Sequence, residues 1–200
     1  MLYEIAHIIR DRMPWLWDVV NMVNAMLFKM RYGEKVRSVE AKVISTHFMP
    51  NGFDIVPIRD METECLVRFF SHQPMEAFTF FKPHPFDAKA MRQLQRDRAF
   101  LAYALIDRVN GRMAGYCFNR SFFHGKGFRG RMVDIGYRGR GLGTMMNRLL
   151  NEVGFGIGLR LFETVSRDNV ASYRSALAAS RVRVMEELPH NELYLEIIKG

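Results

Sequence analysis

The chain has 200 residues, 48% of them hydrophobic, and a formal net charge of +8. That suits one domain with a sizeable core, or one domain with an appendage, and the lack of any run of about 18 apolar residues excludes a spanning helix. The charge suits an anionic partner such as a phosphate-bearing ligand or a lipid surface, while the dispersal of the cations argues against nucleic acid.

Residues 1–31 read as helix, broken near Pro14. Leu2, Ile5, Ile8 and Ile9 give a first apolar face. From Trp15 onward the pattern is apolar apart from Asp18, Asn21 and Asn24, which make a narrow polar stripe. Such a helix must bury most of its circumference, against its own domain, a second copy of the chain or a membrane surface. Tyr32-Gly33-Glu34 is expected to end it, with Gly33 as the cap. Residues 36–44 alternate weakly, as a strand would. The expected division is a helical appendage over residues 1–47 and a main domain over 48–200. The start of the chain lacks a secretory pattern, and Cys65 and Cys117 lie far apart in apolar surroundings, as thiols do in a reducing compartment. A cytoplasmic protein is expected, with peripheral contact at the inner membrane face as the variant. No Cys/His group has metal-ligand spacing, so no metal is expected.

Asn51-Gly52 is a turn signal, and residues 53–59 follow as a strand. Asp60 is placed to cap a helix carrying Cys65, Leu66, Phe69 and Phe70. Pro83 and Pro85 then hold His84 in a rigid extended segment before Asp87 caps a short helix. His84 could accept a proton from an ammonium group, or simply make a structural hydrogen bond. Residues 99–107, 113–122 and 128–133 read as an antiparallel meander, with hairpin turns at residues 109–112 and 124–127.

The stretch Asp134-Ile135-Gly136-Tyr137-Arg138-Gly139-Arg140-Gly141-Leu142-Gly143-Thr144 lies between an apolar strand end and a helical pattern, Met145, Met146, Leu149, Leu150 and Val153. Alternate glycines let backbone N–H groups approach an anion, and the helix adds its partial positive end. Arg138 and Arg140 add charge. A P-loop needs Gly-Lys-Ser/Thr, and a Rossmann turn needs G-x-G-x-x-G; neither is present. Residues 159–165 read as the next strand, parallel to the one before the loop. A helix follows Asn169, and two alternating strands close the chain.

Arg138-Gly139-Arg140-Gly141-Leu142-Gly143 matches the [Q/R]-x-x-G-x-[G/A] loop of the GNAT superfamily of N-acyltransferases at every fixed position, and the chain resembles that family over residues 53–198. Val165 and Asn169, followed by Ala171-Ser172, resemble the family's second CoA-contacting segment. The resemblance implies an α/β fold with a mixed central sheet flanked by helices, here carrying the helical appendage. It also implies transfer of an acetyl group from acetyl-CoA to a primary amine, an amino sugar or another small molecule. Its implied CoA contacts are Val133, Ile135, Arg138, Gly139, Arg140, Gly141, Leu142, Gly143, Thr144 and Asn169. The family's tyrosine acid is Ala176 here; Tyr173, one turn earlier, is the substitute candidate. His84, then Asp134, then Glu163 are the base candidates, and Asp134 reads foremost as a turn carboxylate hydrogen-bonding the loop. A non-catalytic acyl-CoA sensor is the alternative, and residues 1–31 are the candidate membrane or homodimer contact.

Overall fold

Helical periodicity governs the beginning of the described chain. The computed structural model describes residues 14–46 and 52–199. Helix α1 (Pro14–Ser45) buries Phe28, Tyr32, Val36 and Val43, which recur at spacings of four and seven, in the same core as Leu101, Tyr103, Met146 and Leu150. Two expectations are corrected here. Gly33 does not end the helix, and residues 36–44 are not a strand. The β-branched residues Val36, Val39 and Val43 face the core at helical period, so tertiary burial overrides their strand propensity. A Cβ at Gly33 would meet only the Lys29 side chain, at 3.6 Å, so this glycine marks no turn. Asn24 is drawn inward: its amide donates to the Ser121 carbonyl at 3.0 Å and its oxygen accepts from the Phe123 N–H at 3.0 Å. The apolar face expected over residues 1–13 lies outside the described residues.

Among the described residues, seven strands form one sheet in the order β1-β2-β3-β4-β5-β7-β6. They are β1 (Phe53–Pro57), β2 (Phe100–Asp107), β3 (Met113–Ser121), β4 (Lys126–Val133), β5 (Arg160–Ser166), β6 (Arg181–Leu188) and β7 (Glu192–Ile198). Among the described residues only the β4–β5 pair is parallel, joined by the crossover helix α4 (Leu142–Gly156). Strand β1 stops at Pro57, two residues short of the expected end, and a 3-10 turn over Ile58–Asp60 follows. Helix α2 (Thr63–Ser71) starts from Glu62, so Asp60 is not its cap. Asp87 does cap α3 (Ala88–Arg96), accepting from the N–H groups of Lys89 and Ala90.

Alternation along β2 sorts the two layers. Leu101, Tyr103 and Leu105 face α1 and α4. Phe100 and Ala102 face α2 and α3, where Phe69, Phe70 and Met91 complete a second core. Helix α5 (Val170–Ala179) lies beside α4, capped by the Asn169 side chain on the Ser172 N–H. Cys65 and Cys117 are both free thiols.

Candidate functional site

The parallel ladder between β4 and β5 lasts three residue pairs, from Lys126↔Arg160 to Phe128↔Phe162. Beyond it the strands part. The gap between residues 129–133 of β4 and 163–166 of β5 forms the floor of a cleft of about 760 Å³. The glycine loop and the N-terminus of α4 line it, and a further wall comes from Glu76, Thr79, Phe80, Phe81 and Lys82.

The loop is pinned before it reaches α4. Asp134 accepts from the Gly136 N–H at 2.9 Å and from Gln73 Nε2 at 2.6 Å, which fastens the 3-10 turn Ile135–Tyr137 to the end of α2. The Tyr137 hydroxyl donates to Asp107 Oδ2 at 2.7 Å. Gly139 and Gly141 then take φ of +76° and +77°, a left-handed backbone that side chains disfavour. The first bond of α4 runs from the Met145 N–H to the Gly141 carbonyl, so the N–H groups of Leu142, Gly143 and Thr144 precede the helical ladder. All three residues line the cleft, and Arg138 adds an exposed guanidinium beside them.

A buried polar network underlies the floor. Arg129 and Arg131 both donate to Glu163 Oε2, at 2.7 and 3.0 Å. Arg131 also reaches the Ser172 carbonyl and the hydroxyls of Ser172 and Ser175 on α5, while Arg129 bonds Asn151 on α4. Burial pushes the Glu163 carboxyl up, but the two guanidiniums outweigh it and hold the pKa below the ordinary value. Glu163 therefore stands as a carboxylate. Its Oε1 and the Nε of Arg129 are buried without partners, one acceptor and one donor at the parting of the strands.

The sequence-predicted residues divide between the cleft and its surroundings. Val133, Arg138, Gly139, Gly141, Leu142, Gly143, Thr144 and Asn169 line it together. Ile135 and Arg140 lie outside the lining; Arg140 sits over the Tyr137 ring at 4.9 Å. Neither His84, Asp134 nor Tyr173 lines the cleft. His84 Nδ1 donates to the Pro85 carbonyl at 2.8 Å, leaving Nε2 to accept from the Tyr116 hydroxyl at 3.1 Å. Burial among Phe70, Phe86, Phe100 and Phe118 lowers its pKa to about 4, helped by Arg120 and opposed by the Pro85 carbonyl, so the ring is neutral at pH 7. Tyr173 packs against Val165, Leu193 and Leu195. Sequence reasoning passed over Glu76, Lys82, Arg129, Arg131 and Ser175. The alternation of Arg129, Gly130 and Arg131 was the available signal: strand geometry puts both arginines on one face.

No family model and no curated protein matches this chain. Solved structures do. The GNAT domain of an S. lividans protein aligns with a TM-score of 0.62 at 15% identity, over 72% of this chain and 88% of that one. A GNAT-family acetyltransferase from Bacillus anthracis gives 0.56 at 16% identity, covering 75% and 96%. A putative acetyltransferase from Salmonella typhimurium, solved with its cofactor acetyl-CoA, gives 0.56 at 16%, covering 74% and 94%. The likeness shows that residues of this chain adopt the GNAT fold, as the glycine loop led us to expect.

Proposed function

We propose that the protein is an acetyl-CoA-dependent N-acetyltransferase acting on a primary amine. The observation that carries this is the β4–β5 parting, which opens directly onto a left-handed glycine loop at a helix N-terminus. The loop fits a pyrophosphate: unpaired N–H groups of residues 142–144, the helix dipole and Arg138 all favour an anion there. The parting fits an amide-bearing arm, since beyond the three-pair ladder the facing edges of both strands carry backbone donors and acceptors along it. Bound acetyl-CoA supplies the activated acyl group.

What this chain contributes is chiefly placement. Arg138, Gly139 and residues 141–144 hold the anionic end, Asn169 and Val133 border the arm, and the wall of Glu76, Thr79, Phe80, Phe81 and Lys82 receives the acceptor. Holding an amine against a thioester in the right geometry removes much of the barrier. Asp134 acts by fixing the loop. His84, neutral and bonded to Tyr116, shapes the acceptor wall from behind. An amino sugar or another small polar amine suits that wall, where an exposed aromatic, a hydroxyl and both charge signs meet. The exposed side of α1 is its partner-facing surface, toward lipid or a second copy.

One observation favours a second reading, a non-catalytic acyl-CoA sensor: Ala176 is fully buried where the resemblance places a tyrosine acid. Thermal shift with acetyl-CoA and thiol release over an amine panel separate the two. Protection with amine-dependent thiol release supports the enzyme. Protection without release on any amine supports the sensor. No protection, with Gly141→Glu behaving like the parent, removes both.

A further inference from the structure

The β4–β5 ladder runs Lys126↔Arg160, Gly127↔Leu161, Phe128↔Phe162, so its next step would set Arg129 opposite Glu163. The backbones do not pair there; the two side chains do, at 2.7 Å. That pair already neutralises the buried carboxylate. Arg131, two residues on and on the same face of β4, is a second guanidinium brought into the same buried ground, sharing the one carboxylate. A buried cation in excess costs free energy unless its donors are well used. The donors of Arg131 are spread over two other elements. Its Nη1 donates to Glu163 Oε2 on β5 at 3.0 Å. Its Nη2 donates to the Ser172 carbonyl at 2.7 Å and reaches the Ser172 and Ser175 hydroxyls at 3.0 and 2.9 Å, all on α5. The Ser172 N–H is in turn held by Asn169 Oδ1 at 3.2 Å, and Asn169 lines the cleft. Ser175 completes the link to α4: its hydroxyl accepts from Asn147 Nδ2 at 3.4 Å, and a Cβ on Gly143 would stand 3.7 Å from it.

We infer that Arg131 is a positioning residue: its guanidinium bridges β5 to the first turn of α5 and so sets the width of the cleft that the arm of acetyl-CoA enters. The inference rests on acetyl-CoA as the ligand of that cleft. Arginine suits the task because its planar fork holds two bonding directions at a fixed angle, which a single ammonium on a flexible stem does not. Both terminal nitrogens are committed to the protein, so Arg131 acts through Asn169 and the α5 turn rather than on the ligand. The bridge also accounts for how the strands stay parted without coming loose. Backbone pairing would close the gap, whereas the Arg129–Glu163–Arg131 link joins the strands by side chains on one face and leaves their facing edges free.

The test compares the full chain with R131M and R131K, both of which keep the Arg129–Glu163 pair, with melting curves as the folding control. The dissociation constant for acetyl-CoA, by titration calorimetry, is expected to rise about tenfold or more in R131M, and R131K is expected to recover little of it. With an amine that is turned over, the loss falls on KM for acetyl-CoA far more than on kcat. Without any ligand, NMR order parameters of the Ser172 and Tyr173 amides are expected to fall from about 0.85 toward about 0.6 in both variants, while those of β2 and β3 stay at parent values. An arginine that only stabilised the fold would leave these local values unchanged and shift the melting curve alone. Parent-like affinity in a folded R131M overturns the inference, as does R131K restoring both affinity and order. R131K, which keeps the charge, carries the test if R131M does not fold. A parent that binds no acetyl-CoA removes the ligand assignment instead, and the order parameters alone then decide whether Arg131 fastens α5.

Discussion

Glu40 of α1 and Arg59, just past β1, are joined by two parallel hydrogen bonds of 2.7 and 3.1 Å. The Tyr103 hydroxyl donates a third to the same carboxylate at 2.6 Å. Glu40 is almost wholly buried, so its removal leaves a guanidinium and a phenol facing a void. Glu40→Ala is expected to cost about 3 kcal/mol or more in urea unfolding. Deleting residues 1–46 removes this anchor and the Phe28, Tyr32, Val36 and Val43 stripe. The remaining fragment is expected to lack a cooperative thermal transition by circular dichroism.

Gly141 makes the turn into α4 with φ of +77° and open space where a Cβ would stand. Gly141→Ala therefore pays no steric clash with neighbours, only the left-handed backbone, roughly 1–2 kcal/mol. Gly141→Glu adds a carboxylate at the proposed anion site. Its acetyl-CoA affinity is expected to fall by more than Gly141→Ala's, at least about 100-fold, or about 2.7 kcal/mol. Titration calorimetry on both variants, corrected for their melting temperatures, measures the difference.

His84 should make the fold acid-sensitive before its carboxylates do. The native ring has a pKa of about 4, below the ordinary value of 6.5, because burial disfavours the imidazolium. Between those values the unfolded chain binds the extra proton, so stability is full above pH 6.5 and falls as the pH drops toward 4. The loss is on the order of 3 kcal/mol. Melting temperatures from pH 7.5 to 4.5 should show this slope, and His84→Gln should flatten it. A slope unchanged in His84→Gln would assign the sensitivity to another group.

Glu163 is the counter-ion shared by Arg129 and Arg131. Glu163→Gln leaves the Arg129 guanidinium, wholly buried, without a charge partner, and is expected to destabilise by about 3–5 kcal/mol. Pairing it with Arg129→Met should recover part of that loss, a non-additivity measurable by urea unfolding. The depressed Glu163 pKa gives stability present above the ordinary carboxylate value and lost as the pH falls below it. That window lies under the one His84 controls.

Where neighbours in sequence decide the structure, residue types alone were informative. The glycine loop, the Asp87 cap and the meander of β2, β3 and β4 are of this kind. The second half of α1 was not legible because Val36, Val39 and Val43 suit a strand locally and become helical only against α4 and the sheet. His84 drew notice for its rigid prolines, yet no local pattern tells which side of Phe81 and Tyr116 a side chain will occupy. The Arg129–Glu163–Arg131 cluster joins residues more than thirty positions apart, which only the crossover brings together.

The three-pair ladder between β4 and β5 leaves amides on the facing edges of both strands without a neighbouring strand to protect them. Those amides should exchange with deuterium sooner than others in the same strands. Anything that fills the parting would slow them, so the exchange rate at residues 129–133 and 163–166 becomes an occupancy gauge. It works without turnover, and it reads the filling of the cleft by any ligand in the same way.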